Sequence, residues 1–177
     1  IKSSAASDVY KRQIRYMANP SETLQLEAVK ANYDALQYIK DPSEAVQLQA
    51  VKENYLALRY IDEPSVTVLE AAVKQDPQAM RQITKLTKEL VLHLFSVSAA
   101  TLGYIPNNLG VTVDEVKSII IRAISSETVD EDYIRELINN KAIGGRQSKW
   151  LIDLLSLIDA YGTRAVKKIA VSEYLKY

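Results

Sequence analysis

The 177-residue chain contains no cysteine. That absence excludes disulfides, thiol nucleophiles and Cys-ligated zinc together, and it fits a reducing, cytoplasmic compartment. Histidine occurs once, as His93 in an apolar stretch with no second ligand nearby in sequence, and the pattern reads as a buried packing residue. Net charge is missing too. Twenty-two basic residues balance twenty-two acidic ones, so no global field draws the chain to nucleic acid or to an anionic membrane. The longest apolar run, residues 90–105, is broken by His, Ser and Thr. It falls short of the roughly 20 residues that span a bilayer, and it predicts a buried helix. No G-x-S-x-G, H-E-x-x-H or P-loop order occurs, so no catalytic residue, metal or cofactor is expected. What remains is 47% hydrophobic and 25% charged with five glycines and five prolines, the composition of a chain that folds around one or two modest cores.

The first segment has no apolar period. Residues 3–13, "SSAASDVYKRQ", resemble letter for letter the in-frame translation of a transposase-type sequencing adapter. Residues 1–13 are therefore set apart from the fold as a non-native tail, and the natural sequence is expected to start at about Ile14.

A 22-residue repeat follows. "NPSETLQLEAVKANYDALQYI" from Asn19 aligns with "DPSEAVQLQAVKENYLALRYI" from Asp41 and "EPSVTVLEAAVKQDPQAMRQI" from Glu63. Each unit reads as two short helices. Asn19 or Asp41 is the expected first cap, with proline at the first helical position and Glu22 or Glu44 at the capping-box position. A second cap is expected at Asn32, Asn54 and Asp76, opening a helix of about two turns. Leu24, Val46 and Val68, the Ala-Val pairs 28–29, 50–51 and 72–73, and Leu36, Leu58 and Met80 give one apolar side per unit. Helices this short are marginal alone, so neighbouring units must bury these sides against each other as an α-solenoid.

Residues 14–83 resemble the tandem short helical repeats that recur in phage and bacterial proteins under a domain-of-unknown-function label. The resemblance implies a helical solenoid and no activity. The third unit departs from the pattern, with Val66 in place of the glutamate, Pro77 in place of Tyr33 and Tyr55, and Gln82 in place of the last tyrosine.

Positions that packing does not claim are the candidate partner face. Tyr16, Tyr38 and Tyr60 form one ladder, Tyr33 and Tyr55 a second, and Lys30, Lys52 and Lys74 a third. Tyrosines suit a recognition surface, although closing the groove between units is the simpler role for them. The lysines read as a solvated row beside Glu27, Glu53 and Glu70. Residues 14–83 carry seven basic side chains against ten acidic, which argues against nucleic acid as the partner.

Beyond Thr84 the period is expected to give way to five longer helices over residues 84–177, either a compact bundle or, equally, a continuation of the solenoid with degenerate, longer units. Residues 84–105 read as one apolar helix, Thr112 and Thr128 as caps in box spacing with Glu115 and Glu131, and Gly144 as a stop. A helix from Ser148 would place Leu151, Leu154, Leu155 and Ile158 on one side, ending at Gly162, with Trp150 anchoring the core. The cluster of Glu127, Asp130, Glu131 and Asp132 fits a helix start better than a calcium site. From residue 141 onward seven basic residues face three acidic. Arg146, Lys149, Arg164, Lys167 and Lys168 are thus the candidate anion contact.

The reading is an all-α chain in which short two-helix repeats, residues 14–83, precede a C-terminal helical domain, residues 84–177. It is expected to be non-catalytic, without cofactor or membrane association, and to bind another protein as an interaction or scaffolding module. A nucleic-acid-associated factor working through the basic last helix is the alternative, and an accessory segment of a larger enzyme is the second alternative.

Overall fold

A computed structural model describes Val9, residues 14–144 and residues 148–176. Among the described residues the regular structure is α- and 3-10-helical, with no strand and a single isolated bridge between Ile143 and Trp150. Two compact units are formed, Ile1–Thr84 and Lys85–Tyr177.

In the first unit three α-helices, α1 (Glu22–Ala31), α2 (Glu44–Glu53) and α3 (Val66–Gln75), alternate with 3-10 segments at Tyr33–Tyr38, Tyr55–Tyr60 and Pro77–Gln82. One side chain makes each break between the two. Asn32 leaves helical geometry at φ −153° while its backbone N–H still bonds Ala28, and its Oδ1 then accepts from the Asp34 N–H at 2.9 Å. Asn54 and Asp76 repeat this, accepting from Leu56 at 2.9 Å and Gln78 at 2.7 Å. Because the side chain reaches only two residues ahead, it starts a tight 3-10 turn.

The α-helices are capped two residues later than the sequence predicts. Ser21, Ser43 and Ser65 are the caps, accepting from Leu24, Val46 and Val68 at 3.3–3.4 Å, and the prolines precede them. Asp41 cannot take that role, because its φ of +48° is left-handed rather than extended. Glu22 and Glu44 therefore stand at the first helical position. There they accept a hydrogen bond from the serine hydroxyl of the following unit, Ser43 and Ser65 respectively. The expected intra-helix box is instead a clasp between consecutive repeats.

α1 packs on α2 and α2 on α3, while each 3-10 segment lies against its own α-helix, and the Tyr55–Tyr60 segment lies against both of the other two. Ala28, Ala50 and Ala72 and Val29, Val51 and Val73 are all at most 1% exposed, and Ala35, Ala57 and Ala79 face them from the 3-10 row. Alanine at these positions lets the two rows approach closely. Each fully buried Val or Leu contributes roughly 1.5–3 kcal/mol, whereas ten-residue helices are marginal on their own, so packing between repeats decides the fold.

The second unit opens with a correction to the expected loss of period. Residues 84–105 are not one helix. α4 (Lys88–Val97) and a 3-10 segment at Ala99–Tyr104 repeat the earlier lengths, and Thr87, Ser98 and Ile105 stand 22 residues after Ser65, Asp76 and Ile83. The motif is hidden because the Ala-Val pair and the 3-10 alanine are replaced by Leu94, Phe95 and Thr101, all buried, while Leu102 keeps the place of Leu36, Leu58 and Met80. Ser98 makes no local side-chain cap, and its hydroxyl donates to Glu136 at 2.9 Å. His93, expected to be buried, is exposed on α4.

Four further α-helices follow among the described residues, and the first two pack on this motif. α5 (Val113–Ser125) carries the expected capping box of Thr112 and Glu115. α6 (Glu131–Ile138) is capped by Asp130, not Thr128, because the Asp130 carboxylate reaches the Tyr133 N–H at 3.1 Å. Gly144 is left-handed at φ +80° but lies beyond the end of α6, whose C-cap is Asn139. α7 (Leu154–Tyr161) starts six residues later than predicted, where Asp153 caps the Ser156 N–H at 3.1 Å, and it ends at Gly162. α8 (Arg164–Tyr174) closes the unit against α6 and α7. Trp150 is buried as expected and donates its indole N–H to Leu102 at 3.3 Å. Among the described residues no helix is long and apolar enough to cross a membrane.

Candidate functional site

Tyr33, Tyr38, Tyr55 and Tyr60 bound the first two 3-10 segments, and Tyr16 lies ahead of them in a helical stretch. Tyr60 donates its hydroxyl to Asp34 of the preceding repeat at 3.0 Å. Burial, followed by that hydrogen bond, pushes its pKa up. Tyr38 and Tyr16 share Arg15, whose guanidinium lies 5.7 Å and 5.8 Å from their ring centroids. Tyr16 is 80% exposed, whereas Tyr33, Tyr38, Tyr55 and Tyr60 are half-buried. The backbone N–H of Tyr55 donates to Gln75 of the next repeat at 3.1 Å. Tyr38 and Tyr60 thus stitch neighbouring repeats through their side chains, with Arg15 and Asp34 as partners that spacing alone did not point to. Lys30, Lys52 and Lys74 are exposed in the last turns of α1, α2 and α3, where a cation is favourably placed against the helix dipole.

The five candidate anion contacts do not form one cluster of equivalent cations. Arg146 lies outside the described residues. The Lys149 ammonium sits 5.0 Å from the Trp150 ring centroid and donates to the Ile105 carbonyl, and burial lowers its pKa. The Lys167 ammonium donates to the Asp159 carbonyl at 2.6 Å. Arg164 and Lys168 stand exposed on α8. The basic excess of this region is therefore split between fold-stabilising and outward-facing groups.

The same unit exposes apolar surface that the sequence assigned to its core. Leu154 and Ile158 are buried, but Leu151 is 71% exposed and Leu155 54%. Leu151 falls outside because residues 150–153 are extended, which breaks the helical stripe at the point where Asp153 caps α7. These two leucines line a groove of about 510 Å³ together with Ile138, Ile143, Leu154 and Tyr174. Next to it, α8 leaves Val171, Tyr174 and Leu175 exposed.

Other polar groups here serve the fold. The Glu173 carboxylate is buried on α8 and binds Arg135 and Lys176, with Asn139 donating at 3.3 Å. Lys176, then Asn139 and Arg135, hold its pKa down to about 2. Hydrogen bonds from Ser156 likewise depress Asp153. No group of three or more metal-ligating side chains is assembled among the described residues. Comparison with family models, with curated proteins and with solved structures gives no match for this chain.

Proposed function

We propose that this chain is a non-catalytic protein-binding or scaffolding module of phage or bacterial origin, in which the short repeats stack as an α-solenoid ahead of a C-terminal helical domain. The observation that carries the reading is the exposed apolar groove around Leu151, Leu155 and Tyr174. Clustered large apolar side chains on a surface mark a site where another molecule removes them from water. The repeat likeness of residues 14–83 supports the same class, since stacked repeats present long outer faces and need no pocket. The tyrosine ladder is then chiefly inter-repeat packing, and the working surface moves to the second unit. Lys149 and Lys167 spend their ammonium groups on backbone carbonyls, which weighs against the nucleic-acid alternative.

A photo-crosslinking residue at position 155, with position 52 as the comparison, tests this in an extract of the source cells. A protein adduct of defined mass that unlabelled chain competes away is expected at position 155. Adducts that nuclease removes, or no adduct at either position, overturn the reading.

A further inference from the structure

We infer that the groove and the outer face of α8 together take one occupant, an amphipathic helix of a partner protein whose polar face is acidic. This rests on the protein-binding reading and names the partner's chemistry. At 100° per residue, Tyr174, Lys167, Val171, Arg164 and Lys168 of α8, with its C-cap Leu175, fall within one arc of about 120°. All six are exposed, and the opposite arc holds the buried Val166, Ile169, Ala170 and Glu173. The exposed arc is ordered along its length, with the cations at 164, 167 and 168 and the apolar side chains from 171 onward, and the Tyr174 end lines the groove.

Charge selects the occupant. Of the three acidic residues after position 141, Glu173 is buried between Arg135 and Lys176, and Asp153 caps α7 while keeping its charge in the groove lining, so the occupant's carboxylates belong at the other end of the surface. Of the cations, Lys167 is held by Asp159, which leaves Arg164 and Lys168 directed outward on the arc. The pattern is therefore apolar at one end and net basic at the other. A helix of about 16 residues, roughly 24 Å long, covers both. It would seat side chains spaced i, i+3, i+4 and i+7 in the groove and present carboxylates to Arg164 and Lys168. A membrane surface fits less well, because the apolar lining is concave. Nucleic acid would leave Leu151 and Leu155 in water.

The test uses the whole chain and three synthetic 16-residue peptides read by fluorescence anisotropy. The first carries leucines at i, i+3, i+4 and i+7 among glutamates, the second has the same composition with the leucines scrambled, and the third has lysine in place of glutamate. The first is expected to bind at least tenfold more tightly than either of the others. Leu151→Glu or Leu155→Glu, both at exposed positions, should weaken it at least tenfold while circular dichroism stays unchanged. Arg164→Glu with Lys168→Glu should turn the preference toward the lysine peptide. Equal binding of the scrambled peptide, no binding of the first, or indifference to Leu155→Glu overturns the inference. So does saturable binding to phosphatidylcholine/phosphatidylserine vesicles, or a dimer, if Leu155→Glu abolishes it. A protein adduct from position 155 alongside peptide failure would leave the protein-binding reading standing and remove only the acidic helix.

Discussion

Two residues show how local chemistry sets the tolerance of the second unit. Tyr133 is buried on α6 with its ring 6.2 Å from that of Phe95, and its hydroxyl has no hydrogen-bond partner among the described residues. Burial, with the nearby Glu136 and Asp130 carboxylates, drives its pKa far up. An unsatisfied buried hydroxyl costs about 1–3 kcal/mol, whereas the ring supplies the packing. Tyr133→Phe should accordingly hold or raise the melting temperature, and a fall of several degrees would show that the hydroxyl has a partner. Gly162 is the opposite case. Its φ of −68° is ordinary, but a Cβ there would lie 2.5 Å from the Ile158 carbonyl oxygen. Gly162→Ala should cost about 1–3 kcal/mol by overpacking. Gly103→Ala, whose nearest contact would be 3.9 Å away, is the control and should leave the melt almost unmoved.

Between elements, two contacts were beyond the reach of sequence reading because each joins residues far apart in the chain. The Glu44 to Ser65 clasp looks in sequence like half of a capping box. Ser65→Ala should cost about 1 kcal/mol from the lost cap alone. If the clasp couples repeats, that cost shrinks by about 0.5 kcal/mol in a Glu44→Gln background, and a double-mutant cycle giving no coupling would discard it. The Glu173 cluster fastens α8 to α6 through Arg135 and Asn139. Its carboxyl pKa falls from 4.5 to about 2 in the folded chain, so its stabilisation is complete above pH 4.5 and is lost as pH drops toward 2. Glu115, bonded to Lys88 and Thr112, is lowered to about 2 as well. Glu173→Gln should flatten the acid dependence of stability in that window, and Glu115→Gln with Glu173→Gln should flatten it further. An unchanged slope in urea melts between pH 2 and 4.5 would contradict this assignment.

At the scale of the molecule, the repeat reading predicts that damage spreads. Val51 is fully buried between neighbouring helices, and Val51→Asp places a charge where nothing can pair with it. Hydrogen exchange should then lose protection across α1, α2 and α3 together; loss confined to α2 would mean the repeats do not depend on one another. The helical class, the 22-residue period and the buried Ala-Val seams were legible in the sequence, because each is a local pattern repeated at fixed spacing. The fourth motif at residues 86–105 was not, since Leu94 and Phe95 obscure the Ala-Val signature while the backbone keeps its breaks. Nor could spacing tell which of Leu151, Leu154, Leu155 and Ile158 stays in water. The sequence by itself determined where the chain turns helical and which side chains seek cover, since propensity, capping and periodicity act within a few residues. Only the tertiary structure decided which apolar groups find that cover and which cations are spent on carbonyls, because both depend on neighbours brought together from distant parts of the chain.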